Sequence, residues 1–322
     1  MLVDLSLIAA GLVLLFFGGE ALIKGAVSLA KKLGLPTLII SLTVVGFGTS
    51  MPELLVSLRA AYAGSPDIAL GNVVGSNTAN ILFILGLCML VAPIGSYDSG
   101  ARANMIKATL VALVLYAMAL TGTELSRLYG AILLAGLVVY LVYSYIVGRK
   151  QTAAAVASGQ EDETLSAVPM TGWLTAGWLA LGFALLFGGA ELLVRGAVSI
   201  ARDFGISEAV IGLTIVAVGT SLPELATSMV AALKRQGDVA LGNIVGSNIF
   251  NILGILGIAS LVKPIAISPN FVNFDIPIMV ATTVALLVVL MAKWPLGRIV
   301  GGVFMVAYIA YTVALGYGVT SF

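Results

Sequence analysis

Apolar residues recur along this chain of 322 residues in stretches long enough to cross a lipid bilayer. A helix needs about 20 such residues to span the roughly 30 Å hydrocarbon layer. The pattern predicts ten spans, over residues 5–23, 37–63, 68–92, 104–122, 128–147, 172–194, 207–232, 239–262, 274–292 and 298–318. The first begins within a few residues of Met1, with no basic stretch before it and no small-residue cleavage site. It reads as a retained helix, not a removable signal. The expected fold class is an all-α membrane protein.

Sliding the sequence against itself by 171 positions pairs Gly18 with Gly189 and continues without a gap to Pro93 with Pro264. GAVSLA at 25–30 meets GAVSIA at 196–201, and GNVVGSN at 71–77 meets GNIVGSN at 242–248. Coincidence does not produce such a match. Each repeat carries five predicted helices, an odd number, so the second enters the membrane from the opposite side. The expectation is two inverted five-helix repeats, 1–147 and 172–322, related by an axis in the membrane plane. Between them, residues 148–171 include QTAAAVASGQEDET, small and polar enough for a flexible connector and too short for a regulatory domain.

Basic residues give an independent orientation, because cytoplasmic loops carry an excess of Lys and Arg. One side collects Lys24, Lys31, Lys32, Arg102, Lys107, Arg149, Lys150, Lys234, Arg235, Lys293 and Arg298; the other has Arg59, Arg127, Arg195, Arg202 and Lys263. Eleven against five places both termini outside and the 148–171 linker in the cytoplasm of a multi-pass protein of the cell (inner) membrane.

Composition narrows the chemistry. Sixty per cent of the residues are apolar and 10% charged, against about a quarter charged in soluble domains. The main partner is therefore the lipid bilayer. A net charge of +1 without a long basic stretch argues against nucleic acid. Cys88 is alone and reads as a small buried hydrophobe. The absence of His removes the commonest general base and transition-metal ligand. Serine-triad and zinc-protease chemistry are disfavoured, and no cofactor is expected.

An acid at membrane depth costs at least a few kcal/mol and is a functional candidate by default. Glu53 and Glu224 are two such acids, at equivalent positions in GTSMPELL (48–55) and GTSLPELA (219–226). Each follows a proline, Pro52 or Pro223, which lacks a backbone donor and clashes with the carbonyl four residues earlier. Helices two and seven are therefore predicted to break, freeing carbonyls around Gly46–Ser50 and Ala217–Ser221, with the proline in the first turn of the next half-helix. Unpaired backbone at that depth is tolerated where it lines a cavity or binds something. A packing kink satisfied by Thr49 or Ser50 explains one copy more easily than two symmetric ones.

The available ligands are carboxylate, carbonyl and hydroxyl oxygens, which favour hard cations. Two bidentate glutamates and one carbonyl from each broken helix supply about six oxygens, within the calcium range; sodium can use subsets of the same oxygens. GNVVGSNTAN at 71–80 and GNIVGSNIFN at 242–251 add Ser76, Asn77 and Asn80, then Ser247, Asn248 and Asn251, polar groups that coordinate or hydrogen-bond without net charge. The Gly71/Gly75 and Gly242/Gly246 pairs have the spacing that brings membrane helices close. Glu20 with Lys24, and Glu191 with Arg195, read as i,i+4 interfacial ion pairs.

These motif pairs, in this order in both halves, resemble the cation/calcium exchanger superfamily and in particular its prokaryotic sodium/calcium exchangers. The resemblance covers the whole chain. It implies ten helices, with a site formed by the second, third, seventh and eighth. Carried over by position, it implies calcium ligands at Glu53 and Glu224 with the carbonyls of Thr49 and Thr220, one residue beyond Gly48 and Gly219, to which the proline argument points. It also implies sodium positions lined by Ser50, Ser76, Ser221 and Ser247, with carbonyls at Gly46 and Ala217, and a central polar pair at Asn80 and Asn251. Some relatives, including the potassium-dependent branch, carry aspartate at the position of Asn251, so potassium coupling is disfavoured. Proton-coupled relatives have an acid shortly after their GN, which this chain lacks.

The resulting expectation is a secondary antiporter that exchanges Na+ for Ca2+ by alternating access, both ions being substrates at shared carboxylates. Two empty buried carboxylates oppose passage through the occluded state, which forces exchange. The alternatives are an H+/Ca2+ antiporter and, in a different class, a passive cation channel. An intramembrane enzyme lacks a base for Ser50 or Ser221 other than glutamate.

Overall fold

The structure, a computed structural model, describes residues 2–94, 99–157, 170–204 and 217–316. Among these residues, eight helices are long and apolar enough to cross a membrane: Leu2–Leu33, Pro66–Val91, Gly100–Thr121, Arg127–Lys150, Gly172–Asp203, Gly237–Val262, Phe271–Met291 and Arg298–Leu315. The pair Thr37–Thr49 and Met51–Ala63, bent by 45°, makes a ninth. This is an all-α, multi-pass membrane protein. Of the predicted span 207–232, residues 207–216 lie outside the described residues, and the remainder forms the half-helix pair Ala217–Thr220 and Leu222–Leu233. Residues 158–169 of the predicted linker also lie outside them, whereas the preceding helix continues to Ala157.

The breaks fall where the prolines place them. Ser50 (φ −82°, ψ 8°) and Ser221 (φ −92°, ψ 7°) both leave helical geometry, and Pro52 and Pro223 sit in the first turn of the following half-helices. There the missing N–H is one the helix would leave unpaired anyway. The carbonyls are less free than the sequence suggests: Gly46 O accepts from Ser50 N–H at 3.2 Å, and Ser50 O from Leu54 N–H at 3.1 Å.

Two core helices, Pro66–Val91 and Gly237–Val262, cross at the centre. Every residue from Val239 to Phe250 is buried. Each contains a π-helical turn, Asn80–Leu85 and Asn251–Leu256, opening on the equivalent asparagine. Such turns insert an extra residue into the helix and gather at functional sites. The half-helix Thr37–Thr49 lies against the second core helix through its glycines: a Cβ on Gly246 would fall 2.2 Å from Leu42 O, and one on Gly242 2.7 Å from Ser41 Cβ. For that pair the packing reading of the small-residue spacing holds.

Outside the core, Leu2–Leu33 and Gly172–Asp203 form an antiparallel pair. Gly196 meets Asp4 O near one end, and Ser28 bonds Thr175 at 2.8 Å near the other. Midway, a Cβ on Gly11 would lie 2.7 Å from Gly189 O, and one on Gly189 2.8 Å from Gly11 O. Both helices are 32 residues long, about 48 Å at 1.5 Å per residue, longer than the predicted spans. Tilt accommodates such length in a bilayer. Short bridges close the ends: Ile94 pairs with Leu296, and Glu124–Leu125 with Ile265–Ala266.

One expected ion pair is corrected. Glu191 does pair with Arg195, at 2.5 Å, but Glu20 pairs with Lys234 at 2.6 Å instead of Lys24. Lys24 lies over the Trp178 ring at 5.0 Å. Packing of Leu2–Leu33 against Leu222–Leu233 brings a distant cation closer than the one on the same helix face.

Candidate cation site

Glu53 opens the half-helix Met51–Ala63 and Glu224 the half-helix Leu222–Leu233, each in the first turn. Carboxylates are favoured there, where unpaired N–H groups and the helix dipole present positive potential. Each half-helix packs on the core helix of its own repeat and on the π-turn of the other, Met51–Ala63 on Asn251–Leu256 and Leu222–Leu233 on Asn80–Leu85. That crossing brings the two acids and the two asparagines together at the centre. Both glutamates are 1% exposed.

The polar contacts exchange across the repeats. Ser50 Oγ donates to Glu224 Oε1 at 3.0 Å, and Ser221 Oγ donates to Glu53 Oε1 at 2.9 Å. Asn77 Nδ2 donates to Asn248 O at 3.2 Å, and Asn248 Nδ2 to Asn77 O at 3.1 Å. Asn80 Nδ2 donates to Asn248 Oδ1, and Asn251 Nδ2 to Asn77 Oδ1, each at 2.9 Å. This closed amide network fixes the orientation of Asn80 and Asn251 and pins the core helices together.

Four buried oxygens on these residues have no hydrogen-bond partner among the described residues: Glu53 Oε2, Glu224 Oε2, Asn80 Oδ1 and Asn251 Oδ1. An unsatisfied buried acceptor costs about 1–3 kcal/mol, more when charged. Two carboxylate and two amide oxygens, contributed equally by the two halves, form a donor set for a hard cation. Among the described residues no group of three or more His, Cys, Asp or Glu is assembled, so neutral oxygens would complete any coordination shell.

The remaining residues singled out in the sequence are distributed unevenly. Thr49 Oγ1 donates to Val45 O and Asn243 Oδ1, both at 3.1 Å, and lies 3.4 Å from Ser247 Oγ. Ser247 Oγ donates to Gly46 O at 3.2 Å, so that carbonyl already accepts both a hydroxyl and the Ser50 amide. Thr220 lies beside Glu53. Ser76 is buried on the first core helix, and Ala217 opens the half-helix that ends at Thr220.

Sequence reasoning passed over two supports. Asn72 Nδ2 donates to Glu53 O at 3.0 Å and to Ser57 Oγ at 2.9 Å. Asn243 Nδ2 does the same for Glu224 O, at 3.3 Å, and Ser228 Oγ, at 2.9 Å. These asparagines follow the first glycine of each GN motif, and their repetition at matching positions was the available signal. Asp275 was missed too. It is 8% exposed and accepts from Tyr311 Oη at 3.1 Å, so Glu53 and Glu224 are not the only acids buried within spans.

A multi-pass helical protein whose centre holds two buried carboxylates within a net of hydroxyls and amides has the make-up of an ion carrier. The chain matches the sodium/calcium exchanger protein family over residues 4–146 and 174–317. It is 40% identical over 314 residues to the putative antiporter CaxA of Alkalimonas amylolytica, covering 97% of this chain and 98% of that protein. It is 33% identical to the sodium/calcium exchanger MaX1 of Methanosarcina acetivorans, covering 98% and 99%. Its structure is similar to that of the sodium-calcium exchanger NCX_Mj soaked with zero Na+ and Ca2+, with a TM-score of 0.83, 30% identity and coverage of 98% and 99%. The chain belongs to the sodium/calcium exchanger protein family.

Proposed function

We propose that this protein is a secondary antiporter exchanging Na+ for Ca2+ by alternating access, with Glu53 and Glu224 as the shared carboxylates. The observation that carries the reading is the pair of buried glutamates at equivalent breaks, each held by a serine of the opposite repeat and each with one unsatisfied oxygen. Relatives named as exchangers, and NCX_Mj structures obtained with Na+ and Ca2+ or Sr2+, support these substrates.

Ca2+ takes six to eight oxygens in flexible geometry. Glu53, Glu224 and the carbonyls of Thr49 and Thr220 supply its first ligands. Na+ uses Ser50, Ser76, Ser221 and Ser247 with the carbonyls of Gly46 and Ala217, and Asn80 and Asn251 form the neutral centre. Bound cations neutralise the acids; without them two buried negative charges face a large desolvation penalty. The loaded protein therefore crosses the occluded state and the empty one does not, which couples the two fluxes.

The reading includes ten spans in two inverted repeats, 1–147 and 172–322. The antiparallel packing of Leu2–Leu33 on Gly172–Asp203, and the equivalence of their contacts at 171-residue spacing, support it. It also includes a cell-membrane location with both termini outside and the 148–171 linker in the cytoplasm. A relative matched over 87% of its own length is an inner membrane protein of Escherichia coli, YrbG.

The test is Ca2+ uptake into vesicles loaded with Na+, against Na+-free, K+-gradient and pH-gradient controls. Uptake driven by the outward Na+ gradient is expected. Uptake driven only by a proton gradient would replace this reading with H+/Ca2+ antiport, and single-channel currents would replace it with a channel.

A further inference from the structure

The exchanged amides of Asn77 and Asn248 tie the two core helices to each other, so these helices do not part without breaking that network. The outer helices Leu2–Leu33 and Gly172–Asp203 are joined as closely, at backbone distance through Gly11 and Gly189. A change of side is then a movement between these two bodies. The outer pair bears directly on the site, because Phe183 stands against Gly48 and Val194 against Gly219, the glycines that open the two glutamate motifs. Where the pair rests decides how both breaks are covered.

One contact between the bodies is built differently from its counterpart in the other repeat. Gly18 faces Leu186 of the partner outer helix, whereas Gly19 seats on the half-helix Leu222–Leu233, where a Cβ would lie 3.2 Å from Ala226 O and 3.3 Å from Val230 Cβ. Beside that seat Glu20 reaches Lys234, which caps the same half-helix, at 2.6 Å. Lys24, one turn further along, lies over Trp178 of the other outer helix. The lysine thus serves the outer pair internally, and the glutamate crosses to the other body.

At the 171-residue spacing Gly19, Glu20, Val230 and Lys234 correspond to Ala190, Glu191, Arg59 and Ala63. Only the glutamate repeats. Glu191 pairs with Arg195 of its own helix at 2.5 Å, and the position of Lys234 carries no charge in the first repeat. With the halves inverted, the equivalent contact lies toward the opposite face of the membrane. One face therefore has a glycine seat and a cation for the glutamate, and the other has Ala190 and Ala63 in their places. The side chains of Lys234 and Glu20 are 34% and 25% exposed, so the pair adds little to folding. It still biases a two-state equilibrium by its full strength if it forms in one state alone.

We propose that Glu20 and Lys234 form a latch that holds Leu2–Leu33 on Leu222–Leu233 in one of the two transport states and opens in the other. The inference rests on the alternating-access reading given above. It assigns these residues a part in setting which state predominates, not in holding the ion.

Two readouts test it. Gly19→Cys with Val230→Cys, in a Cys88→Ala background, puts two Cβ atoms close to disulfide spacing. Oxidation with copper phenanthroline should bridge them and stop Na+-driven Ca2+ uptake into vesicles, and dithiothreitol should restore it. Glu20→Gln or Lys234→Met, added to this pair, should slow bridging by about two- to fivefold, the order a partly exposed ion pair supports. The reversal Glu20→Lys with Lys234→Glu should recover the rate. In the protein without added cysteines, the same single charge variants should raise half-saturating Ca2+ on one membrane face and lower it on the other, as a shift between two states requires. Glu191→Gln, which breaks a pair within one helix, should change neither readout. Exchange at the parent rate in the bridged protein, or faces that do not shift in opposite directions, would overturn the latch. Channel currents in the parent would remove alternating access itself; a parent that exchanges, with charge variants that behave like it, removes the latch alone.

Discussion

Ser50 and Glu224 lie 174 positions apart in the chain, yet the serine hydroxyl donates to the carboxylate at 3.0 Å. The matching bond from Ser221 to Glu53 runs the other way. Each repeat thus holds the acid of the other, and neither half alone completes the site. A movement of one half against the other would change both carboxylates together.

Neutralising either acid should abolish exchange and yet stabilise the ion-free protein. Glu53→Gln and Glu224→Gln replace a buried carboxyl that has no basic partner among the described residues with a neutral amide of similar shape, which removes the desolvation cost of charging that position. Transport assays should show loss of Ca2+ uptake while thermal unfolding in detergent with a chelator shifts upward. Unfolding at unchanged or lower temperature would argue against buried, uncompensated carboxylates.

Ca2+ should stabilise the parent protein. A ligand that binds only the folded state at one hundred times its dissociation constant adds about 2.7 kcal/mol. Thermal scans with and without Ca2+ should show the upward shift in the parent and lose it in Glu53→Gln; a shift of equal size in both would place the ion elsewhere.

Ser50→Ala and Ser221→Ala should impair Na+ more than Ca2+. Each removes a neutral oxygen from the small set proposed for Na+, whereas Ca2+ keeps both carboxylates. The Na+ concentration needed for half-maximal exchange should rise several-fold, with a smaller change for Ca2+, measured in the same vesicles.

Asn243→Ala should destabilise more than Asn72→Ala. Both leave a glutamate carbonyl and a serine hydroxyl without their donor, at about 1–3 kcal/mol for a buried orphan. Asn243 is fully buried and also accepts from Thr49, whereas Asn72 is partly exposed and water can substitute. Denaturation midpoints of the two variants test the order.

Gly246→Ala should disrupt the packing of Thr37–Thr49 on the second core helix. Its Cβ would meet the Leu42 backbone at 2.2–2.7 Å, and a backbone cannot swing aside as a side chain does. Loss of folded protein on size-exclusion chromatography, or a stability drop beyond about 3 kcal/mol, is the expected result.

Much of this protein was legible in its sequence because the signals are local. Twenty apolar residues in a row make a span whatever their neighbours, and a proline ahead of Glu53 or Glu224 breaks a helix through its own missing donor. An acid inside an apolar run announces itself without knowledge of what lies opposite, and the motifs around it sufficed to point to the sodium/calcium exchanger family. Only the tertiary structure decided the partners. The sequence pattern assigned Glu20 to Lys24, four residues away, whereas helix packing gave it Lys234. Nothing in GTSMPE says that Ser50 turns to Glu224 and not to its neighbour Glu53, or that Asn77 and Asn248 lock the two core helices by exchanging amides. Those choices depend on where helices far apart in the chain come to rest, and a hydrogen bond a few ångströms long leaves no periodicity behind it.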